Sequence, residues 1–278
     1  MTYTQLFRIG LFGIATFFAS CNNDNKKTGS TTSKEPSLKE ENVTYKSDST
    51  TMDGFVVYDE NTKGTRPAVL VVHEWWGLND YDKMRARELA KLGYVAMAVD
   101  MYGNGKMADN PADAEKLATP FYSNPQMAKA RFDAALEKLK TYSQVDKNNI
   151  AAIGYCFGGS MVLNMAKLGD DLKGVVSFHG VLSGNPPADR NLLKARILVC
   201  HGGNDQFTPP KDLNEFKKQL DSIHADYMFK VYPGATHAFT NPAATEAGKK
   251  FNLPIAYNAA ADSASWNDMK DFFGRIFK

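Results

Sequence analysis

The sequence predicts an α/β fold: a mostly parallel, twisted sheet with helices on both faces, built as a single domain. Three observations predict it. Short continuous apolar runs recur along the chain, as in parallel strands buried on both faces. Amphipathic stretches with helical spacing alternate with them. A glycine-rich turn joins one run directly to a helical stretch.

In chain order, residues 54–58 read as an early edge strand. Residues 68–73 (AVLVVH) follow Pro67 as a buried strand. Residues 81–92 have helical spacing and stop at Gly93. Residues 94–100 (YVAMAVD) form a second buried strand. Residues 101–125, with three prolines, read as irregular. A strong amphipathic helix covers 126–142. Strands are then expected at 149–154, 174–178, 196–201 and 227–232, and helices at 160–168, 211–223 and 259–277. There is no internal repeat.

The folded part, residues 43–278, is preceded by a different kind of sequence. Residues 9–19 are an apolar run after Arg8, and Ser20 and Cys21 follow. That run is too short for a mature helix across about 30 Å of hydrocarbon, which needs roughly 20 residues. It suits the apolar region of a secretory signal over residues 1–20. Phe18-Ala19-Ser20-Cys21 resembles a bacterial lipoprotein signal, which implies cleavage before Cys21, lipid on Cys21, and export to a membrane facing the periplasm or cell surface. The other reading is ordinary signal cleavage with Cys21 incidental. Residues 22–42 are almost wholly polar, so 21–42 read as the lipidated cysteine and a disordered tether, about 25 Å end to end.

Charge and cysteine content narrow the function. Lys plus Arg number 33 against 31 Asp plus Glu, a net of +2, and no basic run is dense enough to track phosphates; no nucleic-acid partner is expected. Three cysteines cannot form a disulfide scaffold. There is no H-E-x-x-H and no Cys/His cluster, so neither a metal nor another cofactor is expected.

The chemistry concentrates at Gly154-Tyr155-Cys156-Phe157-Gly158, where a strand turns sharply into a helix. G-x-C-x-G is the nucleophile-elbow pattern with sulfur in place of serine oxygen. Glycines on either side leave room for a strained turn. The helix N-terminus favours thiolate, and the Phe157 N–H is left for an oxyanion. The same pattern also fits a buried cysteine behind a glycine-rich turn. In the order nucleophile, acid, histidine, Asp205 follows the 196–201 strand and His237 follows the 227–232 strand, both at the sheet edge that carries Cys156. Asp100 is a rival acid, and Asp205 also suits a plain turn-former after Gly202-Gly203-Asn204. His73, His179 and His201 end strands as candidate structural groups, and His224 lies on a polar helix face. Cys200 ends an apolar strand as core.

With His73-Glu74-Trp75-Trp76-Gly77-Leu78 after the first buried strand, these residues resemble the dienelactone hydrolase family, from about Phe55 to Lys278. The resemblance implies an α/β-hydrolase with Cys156 as nucleophile, His237 as base, Asp205 as its orienting acid, and Glu74 beside the thiol to help deprotonate it. A loop ion pair is the plainer role for Glu74. The resemblance also implies Trp75 as the second oxyanion N–H. The family's arginine four residues past the histidine, which pairs with a substrate carboxylate, is Asn241 here, so dienelactone itself is not the expected substrate. Trp75, Trp76, Tyr102, Phe121, Tyr122 and Phe239 are candidates for an apolar pocket, with Lys106 a candidate charge partner for substrate. The expected partner is a small ester or lactone. A general carboxylesterase, a peptidase, or a tethered binding protein without turnover are the other readings.

Overall fold

The computed structural model describes Thr2, residues 35–184 and residues 186–277. The expected signal, Cys21 and the tether up to Lys34 lie outside the described residues.

Eight strands form one sheet: β1 (Leu38–Ser47), β2 (Thr50–Asp59), β3 (Arg66–Val72), β4 (Val95–Val99), β5 (Val145–Tyr155), β6 (Gly174–Phe178), β7 (Arg196–Gly202) and β8 (Tyr227–Tyr232). Their spatial order is β1-β2-β4-β3-β5-β6-β7-β8. β1, β2 and β4 pair antiparallel, and every pair from β4 through β3 to β8 is parallel. This is the α/β-hydrolase architecture predicted above.

Alternation along each strand divides the core in two. On β3, Ala68, Leu70 and Val72 face helices α3 (Pro125–Lys140), α4 (Phe157–Lys167) and α5 (Pro210–Ser222). Val69 and Val71 face α1 (Asp80–Lys91) and α7 (Ala259–Ile276). Each such aliphatic side chain, taken out of water entirely, contributes about 1.5–3 kcal/mol. Both faces of the central strands are covered, which is why they read as unbroken apolar runs.

Three elements differ from expectation. β1 begins at Leu38, inside the stretch read as tether. It is the sheet's edge, joined to β2 through a turn at Asp48 (φ 51°), and most of its side chains reach solvent, so its sequence carries little apolar signal. The strand read at 54–58 is therefore interior, flanked by β1 and β4. The stretch read as irregular contains α2 (Pro111–Ser123), whose Asn110 side chain accepts from the Asp113 N–H and whose Pro111 opens the first turn. A short helix, α6 (Ala244–Phe251), was also unexpected. No described helix is long and apolar enough to cross a membrane.

Candidate active site

β5 ends at Tyr155 and α4 begins at Phe157, which leaves Cys156 alone to make the reversal. Its backbone sits at φ 51° and ψ −113°, a conformation that costs energy for any residue with a Cβ. Hydrogen bonds hold it there. The Cys156 N–H donates to Phe178 O (3.0 Å) and lies 3.1 Å from His179 Nδ1, and Gly158 N–H donates to His73 O (3.0 Å). The glycines are steric necessities. A Cβ on Gly154 would stand 2.1 Å from Gly158 O, and one on Gly158 would stand 2.2 Å from Val72 O. Phe157 is the first residue of α4, so its N–H has no partner within the helix.

The parallel strands carry the next two residues to the same edge. Asp205 follows β7 and His237 follows β8. His237 Nδ1 lies 2.9 Å from Asp205 Oδ2, both groups being buried. The ring also hydrogen bonds the Cys156 side chain. Burial opposes a charged ring at His237, but the Cys156 charge and the bonds to Asp205 and Cys156 outweigh it and push its pKa up to about 10. Burial likewise opposes the Asp205 carboxylate, while His237 and the Phe207 N–H (2.9 Å) hold its pKa below the usual range.

Glu74 lies directly after the loop's His73 and is only 2% exposed. Burial raises its pKa, and the Asn241 amide, donating to Oε2 at 2.6 Å, partly offsets that. Asn241 is thus a carboxylate clamp that sequence reading cast only as a missing arginine. Tyr102 also has a different place from the one expected. It does not line the cavity; its hydroxyl donates to Trp75 O (2.9 Å) and fixes that residue's backbone beside Cys156.

These groups open into a cavity of about 810 Å³. Cys156, His237, Glu74, Trp75 and the expected Trp76 line it. Phe121 and Phe239 do not: Phe121 packs edge-on against Phe157, and Phe239 packs edge-on against His179 and at a tilt against Tyr232 in the opposite core. Lys106 is exposed and absent from the lining, and its carbonyl occupies the space a Cβ on Gly77 would need. Tyr122, on α2, lines it as expected, and residues not anticipated as lining include Thr119 on α2, Ala244 and Ala247 on α6, and Phe207. The local signal for α2 was present in Asn110-Pro111, a helix-start signature.

The rivals have other work. Asp100 accepts from Gly103, Gly105 and Asp53 N–H groups at 2.8–3.1 Å and so organises a loop. His73 bridges Glu74 O and the Met101 N–H. His179 accepts at Nδ1, so its Nε2 carries the proton toward Thr240 Oγ1 (2.7 Å); burial holds its pKa well below the ordinary value and keeps it neutral. His224 is exposed, and His201 is buried with its pKa lowered by that burial. Cys200 is core, and burial pushes its thiol pKa up to about 12. Among the described residues no group of His, Cys, Asp and Glu is placed to hold a metal ion.

Comparison with known proteins gives the family. Protein usf of Aquifex pyrophilus is 34% identical over 190 residues, spanning 66% of this chain and 81% of that protein. The crystal structure of a dienelactone hydrolase-like promiscuous phosphotriesterase from metagenomic libraries superposes with a TM-score of 0.81 at 32% identity, over 87% of this chain and 99% of its own. Residues 52–277 match the dienelactone hydrolase family as a whole, and with that match and this fold the chain belongs to the dienelactone hydrolase family and is a carboxylic ester hydrolase.

Proposed function

We propose that the protein cleaves a small ester or lactone through a Cys156–His237–Asp205 triad and a thioester acyl-enzyme, and that it works outside the cytoplasm, anchored by lipid on Cys21. The observation that carries the chemistry is one side chain, His237, bonded both to Asp205 and to the cysteine on the strained turn. A thiolate beside a protonated imidazole is an activated nucleophile. The sulfur attacks the carbonyl carbon, and the carbonyl oxygen takes the electron pair. Phe157 and Trp75 N–H groups hold that oxyanion. As it collapses, the C–O bond breaks and His237 gives its proton to the leaving alkoxide. Neutral His237 then takes a proton from water, the hydroxide attacks the thioester, and the acid leaves with the thiolate restored. Burial raises the Glu74 pKa, which makes its carboxylate a stronger base for the Cys156 thiol, and the Asn241 amide holds it in place.

The test is a panel of aryl esters, lactones and small peptides with wild type and Cys156→Ala. Ester or lactone cleavage lost in the variant, with an acyl adduct on Cys156 visible by mass spectrometry, is the expected result. Ester cleavage intact in Cys156→Ala overturns the triad. For the anchor, cells fed labelled palmitate should label the wild type and not Cys21→Ser; equal labelling removes that part of the proposal.

A further inference from the structure

We infer that the cavity selects esters whose acyl and alcohol parts carry no negative charge, and that aromatic or aliphatic groups fill it. This rests on the catalytic reading above and names the substrate class for that same site.

Three features of the cavity converge on it. First, among the described residues no lysine or arginine lines the cavity, although the sequence has 33 of them. The buried guanidinium of Arg85, outside the lining, is committed to Thr240 O (2.8 Å), Asp262 (2.5 Å) and Glu88 (2.9 Å). His237, the lining ring whose raised pKa favours a positive charge, is matched by Asp205 and Cys156.

Second, the amides that could receive a carboxylate are already engaged. Asn241 Nδ2 donates to Glu74, and Asn79 Nδ2 donates to Gly77 O (3.3 Å). Asn79 Oδ1 caps α1 by accepting from Tyr81 N–H (2.8 Å). Third, the charges at the cavity's solvent side are negative. Asp80, in the first turn of α1, and Glu115, on α2, line it and are exposed; among the described residues neither forms a salt bridge, and Arg87, which acts on Asp80 at longer range, is itself bound to Glu40. A substrate carboxylate would enter past two like charges and meet no counter-ion inside, which costs both Coulomb energy and desolvation. An uncharged group instead meets Trp75, Trp76, Tyr81, Tyr122 and Phe207, with Ala247 and Leu253 opposite, in a space large enough for a ligand of aromatic-ester size.

The experiment uses phenyl esters of equal acyl length ending in methyl, carboxylate or trimethylammonium, with the full-length enzyme at low and high salt. In parallel, the matching unreactive phenyl ketones are titrated calorimetrically into Cys156→Ala. The methyl ester should exceed the carboxylate ester in kcat/KM by tenfold or more, and the ketones should bind in the same order. Asp80→Asn with Glu115→Gln should narrow that gap severalfold and flatten its salt dependence. A carboxylate ester turned over as well as the methyl ester, or a carboxylate ketone bound as tightly, overturns the inference and leaves the triad standing. Esters left uncleaved while the ketones keep their order overturn the triad and leave the selectivity standing.

Discussion

The cavity has a floor and walls, and the two are built by different rules. The floor is Cys156, Asp205, His237 and Glu74, each one to five residues beyond the carboxyl end of a parallel strand. Ladder register fixes these positions, so β5, β7 and β8 bring residues 49 and 32 positions apart in sequence to one place. The walls are α2, α6 and the chain after α6; α2 starts at its Asn110 cap, and the chain after α6 meets the sheet edge through the isolated bridge of Ile255 to His237. The sheet edge is the right place for atoms that must meet within a fraction of an ångström. Loop-borne helices are the right place for surface that decides what enters.

The largest expected effect is on the floor. Cys156→Ala should lower kcat for an aryl ester by about a thousandfold or more, measured under saturating substrate, because the steps that depend on sulfur vanish together. Gly158→Ala attacks the same floor through its backbone. The added methyl meets Val72 O, so the turn must shift, and a loss of about 1–3 kcal/mol in urea unfolding is expected along with reduced thiol alkylation at Cys156. Asn241→Ala leaves a buried carboxylate without its donor. A stability loss of about 1.5–3 kcal/mol is expected, with a displaced pH–rate profile as Glu74 becomes harder to ionise. On the wall, Ala247→Leu should alter KM and the ranking of acyl groups by less than about tenfold while leaving the rate of Cys156 alkylation unchanged. A kcat collapse there would break the division between floor and wall.

Acid–base behaviour sharpens the same comparison. His237 has its folded pKa raised, so its contribution to stability is complete below about 6.5, the value in an unfolded chain, and is lost as pH rises through about 10. Because part of that rise comes from the Cys156 charge, Cys156→Ala should move the ring's titration downward, followed by NMR, and the alkaline loss of stability should begin at lower pH. No wall substitution should move it.

The same division explains what could be read from the chain. β3, β4, β6 and β7 were legible because burial on both faces leaves a continuous apolar run, and Cys156, Asp205 and His237 because each follows a legible strand or a glycine turn. β1 was not, since an edge strand with Lys39, Glu40 and Glu41 on it resembles the polar segment before it. α2 was obscured by Pro111 and Pro120, although the first belongs at a helix start. Tyr102, Phe121 and Phe239 were assigned to the cavity by residue type alone, and type does not say which of two cores an aromatic joins. The Asn241–Glu74 bond spans 167 residues and left no local trace.

The ring of His179 extends the turn's support a long way from the cavity. From it a chain of contacts runs through Thr240 and Tyr81 to Arg85, and from Arg85 to Asp262 on the closing helix. Helix α7 contributes nothing to the cavity lining, yet it anchors the last link of that chain. A protein trimmed from its C-terminal end back past Asp262 would keep every reactive group and lose the strut behind them. Shortened versions made for convenience should therefore stop well after that residue, and a fusion partner is better joined beyond Phe277 than in place of the helix.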